Sequence, residues 1–140
     1  SINTESSVTN EAGSGMSNPD KKGMESAAIS ILKVCTVVES DGYESEASQD
    51  IIMRYVDSVE DAANQMANNG PDGASSNIAM LWARVQIAKM YYALYASMPE
   101  PIKDGFVESL EEDYNAAVQD PATSAQASEI LSIINSINRD

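Results

Sequence analysis

Carboxylates are the groups most able to do chemistry in this chain. Glu108 with Glu112, and Asp57 with Asp61, stand one helical turn apart, the spacing at which two acids could share a proton or a cation. A di-metal bundle would add histidine at a fixed offset from its glutamates, and the chain contains none. A glycosidase pair would need one acid raised in pKa inside a cleft. On composition these pairs read as solvated faces. Cys35, the one cysteine, lies in the apolar run Leu32-Lys33-Val34-Cys35-Thr36-Val37-Val38, where a thiol is held protonated and has no imidazole base. The loop following Met66 has Gly73 where a calcium loop needs its sixth residue. Position 12 would then be Ala79 instead of a bidentate Glu, so the match fails. No phosphate-cradling glycine loop or nucleophile elbow occurs. The expectation is a chain without catalytic residues, metal or cofactor.

A run of aromatic and thioether side chains offers another kind of chemistry, recognition. Met90, Tyr91, Tyr92, Tyr95 and Met98 fall within nine residues, with Met80 and Trp82 just upstream. Methionine and tyrosine are favoured at adaptable binding surfaces, and equally in cores. Tyr91 and Tyr92 point about 100° apart on a helix, so one narrow core stripe does not hold both. The run is therefore expected to present a partner-binding surface in part.

These side chains need elements to position them. Asn77 to Met98 reads as one helix, capped by Ser75 or Ser76 and stopped by Pro99-Glu100-Pro101. From Ile78 to Met98 only Arg84, Gln86, Lys89 and Ser97 are neither apolar nor aromatic, which marks a mostly buried central helix. About 20 such residues would cross a bilayer, but Arg84 and Lys89 at mid-span would each cost roughly 2.5–3.5 kcal/mol there. A soluble bundle is expected, with Arg84 and Lys89 in structural ion pairs to Asp57, Glu60 and Asp61 on one side or Glu108, Glu111 and Glu112 on the other. Alternatively their stems carry both charges out to solvent.

Around that rod the periodicity predicts amphipathic helices. Met24 to Val38 places Ile29, Leu32 and Cys35 on one stripe, although its β-branched end could also form a strand. Helix is favoured because no second strand-like run could pair with it. Ser45 to Asn68 carries Ile51, Ile52, Tyr55, Val56 and Val59 inward. Ile102 to Gln119 presents Phe106, Val107, Leu110, Tyr114 and Val118, with Glu108, Glu111, Glu112 and Asp113 facing water. The last helix starts near Asp120-Pro121 or at Thr123, where Thr123 and Gln126 could form a capping box. It presents Ala127, Ile130, Leu131, Ile134 and Ile137. The predicted fold is all-α, a compact four- to five-helix bundle at 24–140 behind a tail at 1–23. Ser, Thr, Asn and Gly fill 13 of those 23 positions, too few apolar groups to offset the entropy of ordering, so a flexible tail is expected.

Composition then limits partners. Eight Lys and Arg against 22 Asp and Glu give a net charge of −14, which disfavours nucleic acid and anionic lipid. One cysteine excludes an internal disulfide. The chain of 140 residues begins at Ser1, for which a trimmed or replaced start is expected, and residues 1–23 hold no apolar run of signal-peptide length. The leading expectation is a non-enzymatic interaction module that binds another protein through Met90, Tyr91, Tyr92, Tyr95 and Met98 or through the tail. A Ser/Asn-rich leader before a helical body is compatible with bacterial export by a specialised machine without a cleaved signal. The second reading is a structural subunit that binds itself, forming a filament or shell with the tail ordered between copies. An acidic imitation of nucleic acid ranks third, because it needs denser carboxylates along one face.

Overall fold

The computed structural model describes residues 29–69 and 73–139. The predicted tail at 1–23 and the predicted helix start at Met24 lie outside them. Among the described residues there are five α-helices and no strand: α1 (Ile31–Asp41), α2 (Glu46–Asn68), α3 (Gly73–Ala93), α4 (Glu100–Val118) and α5 (Ser124–Arg139). Helix α2 packs most extensively on α3, α1 lies on α2, and α4 packs chiefly on α5 and more lightly on α3. The molecule is thus an all-α bundle of two helical hairpins, α1–α2 and α4–α5, laid on opposite flanks of α3.

Local chemistry sets the ends. Ser30 and Ser45 accept from the backbone N–H of Lys33 and Ser48, each at 3.0 Å, capping α1 and α2. Gly42 ends α1 at φ +91°, a conformation that side-chain-bearing residues rarely adopt, and donates to the Val38 carbonyl at 2.8 Å. Helix α2 buries Ile51, Ile52, Tyr55, Val59, Ala62 and Ala63. The Tyr55 hydroxyl, wholly inside, donates to the Gln86 carbonyl of α3 at 3.3 Å.

Helix α3 is the central rod. Ala79, Leu81, Trp82, Val85, Ala88 and Met90 are buried, on several sides of the helix at once. It ends five residues earlier than the sequence suggests. At Leu94 the chain tightens: Leu94 N–H is shared between the Met90 and Tyr91 carbonyls at 3.2 and 3.0 Å, and a 3-10 turn follows over Tyr95–Ser97. Pro99 disfavours helix for the residue before it, and Met98 is extended at φ −77°, ψ 142°. Tightening lets Leu94 and Met98 both turn inward.

Four other expectations are corrected. In α1 the buried stripe is Ile31, Val34 and Val38, with Cys35 half-buried and Leu32 63% exposed. The apolar arc of that helix is broad, with Lys33, Thr36 and Ser40 on the polar side, and Leu32 lies at its edge, so docking on α2 and α3 leaves Leu32 outside. In α4 Ala117 is buried and Val118 is exposed, and in α5 Ile133 takes the place expected of Leu131. The capping box does not form. Asp120 caps the turn over Pro121–Thr123 by accepting from Ala122 N–H at 2.9 Å, while the buried Thr123 hydroxyl donates back to the Ala117 carbonyl at 2.7 Å. Thr123 thus closes the end of α4 instead of opening α5, and Gln126 Oε1 has no hydrogen-bond partner among the described residues.

Candidate interaction surface

Because α2 and α4 both lean on α3, the face of α3 between them stays open. Met80, Arg84, Ile87 and Tyr91 recur at intervals of four, three and four, which aligns them on that face. Two hollows follow it. One of about 510 Å³ has Ile87, Ala88 and Tyr91 as its floor, Met53 and Val56 of α2 on one wall, and Ile102 and Phe106 of α4 on the other. A second, of about 630 Å³, continues past Ala63, Ala67, Met80 and Ala83. They share Glu60, Arg84, Ile87 and Asp113, so they form one groove with a polar waist. From Met80 to Tyr91 it runs about 16 Å along the helix axis.

The waist is an ion pair. Arg84 Nε donates to both carboxylate oxygens of Asp113 at 3.1 and 3.2 Å. Lys89, on another side of α3, pairs with Glu129 of α5 at 2.9 Å. The expected partners on α2 and at Glu108, Glu111 and Glu112 are not the ones used. Asp113 was expected in water, but its position on α4 directly faces Arg84, and only 15% of its side chain is exposed. The Arg84 side chain remains half-exposed, so its guanidinium is both paired and in contact with solvent.

The aromatic run is divided by the helix that carries it. Met90 and Met98 are buried, so neither reaches a partner in this conformation; both were expected on the recognition surface. Tyr91 is half-buried and lines the groove. Its ring lies 5.9 Å from that of Phe106, and the Tyr95 ring lies 6.1 Å away, which fastens the start of α4 to α3. Lys103 Nζ sits 5.1 Å from the Tyr95 ring centre and 3.5 Å from Glu100. Tyr92 is half-buried away from the groove. Burial raises the pKa of Tyr91. Burial and then the neighbouring Tyr91 charge raise that of Tyr43, so both phenols at this end are neutral donors near pH 7.

Sequence reasoning missed Met53, Ile102 and Gly105 as parts of the surface. Met53 and Ile102 are large apolar side chains left exposed at the two rims, at 55% and 42%. Gly105 lies within the unbroken α4 on the groove side, and an added Cβ there would meet nothing within 4 Å among the described residues. A glycine inside an amphipathic helix was the available signal.

Cys35 is half-buried, and burial, then Glu39, raises its pKa. Among the described residues no cluster of three or more metal-ligating side chains forms, and no helix is long and apolar enough to cross a membrane. The chain matches no protein-family profile, no curated protein and no solved structure.

Proposed function

We propose that this chain is a non-enzymatic interaction module that binds another protein along the open face of α3. One observation carries the reading: a groove about 16 Å long, apolar at both ends, rimmed by the exposed side chains of Met53 and Ile102. Burying large apolar side chains at an interface contributes more than leaving them in water, at roughly 25 cal/mol per Å². Tyr91 supplies a rigid ring with a hydroxyl, a combination suited to the centre of an interface.

The test is comparative capture with the full chain and with a Met53→Asp, Ile102→Asp double variant. Both positions are exposed, so the fold should survive, as circular dichroism would verify. A protein retained by the native chain and lost with the variant supports the reading. Identical retention by both, or none by either, overturns it. Sedimentation across concentration covers the alternative of a self-assembling subunit, which would show the native chain growing in mass and the variant remaining monomeric.

A further inference from the structure

We infer that the occupant of this groove is a cationic amphipathic helix of a partner protein, and this rests on the interaction-module reading above. Size comes first. About 16 Å of open face accommodates roughly three turns of helix, and hollows on either side of a polar waist suit apolar anchors spaced about two turns apart.

Charge narrows the occupant further. On α2 Met53, Val56, Glu60 and Asn64 line the groove, and Asp57 is an exposed neighbour one turn from both Met53 and Glu60. On α4 the row through Gly105, Ser109 and Asp113 is bordered by Glu108 and Glu112, both exposed. Asp57, Glu60, Glu108 and Glu112 have no ion-pair partner among the described residues, and Arg84 at the waist is already held by Asp113. Both rims therefore offer unneutralised carboxylates beside an apolar floor. A helix with large apolar residues on one side and Lys or Arg flanking them would meet both features. A second copy of this chain, at net charge −14, would be repelled.

Gly105 is the independent observation. Glycine inside a helix costs about 0.5–1 kcal/mol relative to alanine. Nothing among the described residues requires it, because none of their atoms lies within 4 Å of where its Cβ would stand. A close approach by an incoming backbone at the α4 rim accounts for that vacancy, as small residues do where two helices touch.

The probe is a fluorescein-labelled 18-residue peptide with leucines at helical spacing and lysines elsewhere, followed by anisotropy at 0.15 M salt. A peptide with the same leucines and glutamates for lysines is the charge control. The lysine peptide should bind at least tenfold more tightly than the glutamate peptide. Gly105→Phe, which fills the rim and whose folding circular dichroism would verify, should weaken binding about tenfold, whereas Gly105→Ala should weaken it less. Glu60→Gln with Glu108→Gln should weaken it about fivefold, whereas Glu39→Gln with Glu129→Gln, removing equal charge at positions that line neither hollow, should change it less than twofold. Equal effects of the two charge pairs, or an unchanged affinity for Gly105→Phe, would overturn the inference. If the peptide fails while Met53→Asp, Ile102→Asp still abolishes capture of a partner, the module reading stands and only the chemistry assigned to the partner falls.

Discussion

Met90 and Met80 are the same residue type on the same helix, and the structure gives them opposite surroundings. Met90 is wholly buried at the end of α3, and Met80 is 54% exposed at the groove. Truncating Met90 to alanine removes three heavy atoms from a close-packed site held by flanking helices that can only partly collapse. Buried Met→Ala changes cost about 2–5 kcal/mol, and about 3 kcal/mol is expected here. An ordinary domain has about 5–15 kcal/mol to lose, so this is a large share. With a urea slope of about 1.5 kcal/mol per M, the midpoint should fall by about 2 M at unchanged slope. Met80→Ala removes the same atoms from solvent and should cost less than about 0.5 kcal/mol. Urea titration followed by circular dichroism reads both. A Met90→Ala loss under about 1 kcal/mol, or equal losses for the two variants, would refute the description of α3 as a core rod with one open face.

Other consequences follow from single side chains. Gly105→Ala should raise the melting temperature by about 2–5 °C in calorimetry, the result of about 0.5–1 kcal/mol of helix propensity with no clash; a fall would mean that the added methyl is not in open space. Thr123→Val keeps the shape but leaves the Ala117 carbonyl without its 2.7 Å donor. It should cost about 1–3 kcal/mol in a chemical denaturation experiment, and a neutral result would show that the bond closing α4 contributes nothing. Burial raises the Tyr55, Tyr43 and Tyr91 pKa values, Tyr55 most, so the folded state resists ionising them. The tyrosine contribution is fully present below the unfolded value of about 10 and is lost as pH rises above it. Urea midpoints should therefore fall above about pH 10, and Tyr55→Phe should flatten that fall. An unaltered slope in the variant would contradict the assignment.

The helices were legible because the chain writes them plainly. Ser45 before Ile51, Ile52, Tyr55 and Val59 gives both a cap and a stripe, and α2 spans Glu46–Asn68 accordingly. Where the apolar arc is broad, as in α1, periodicity does not fix which residues at its edge are buried, and Leu32 ended outside. The early end of α3 depended on Pro99 acting one residue upstream while Leu94 and Met98 sought the core. The groove was less legible still. It arises because α2 and α4 flank α3 without closing over it, which no single helix encodes. Tyr91 was picked out for its angle to Tyr92, but Met90 and Met98 shared its composition and not its surroundings. Spacing named Asp57, Glu60, Asp61, Glu108, Glu111 and Glu112 as partners for Arg84 and put Asp113 in water, yet Asp113 is the acid that faces it.

Both cross-helix ion pairs of α3 reach toward the same half of the molecule: Arg84 to α4 and Lys89 to α5. The opposite half, α1–α2, adheres to α3 through side chains such as Ile52, Tyr55 and Val59, whose contacts electrolyte does not screen. Ionic strength is consequently a one-sided lever on this bundle. Added electrolyte weakens those two links alone, since Phe106, Leu110 and Ile130 also hold the α4–α5 flank by apolar contacts that it does not screen.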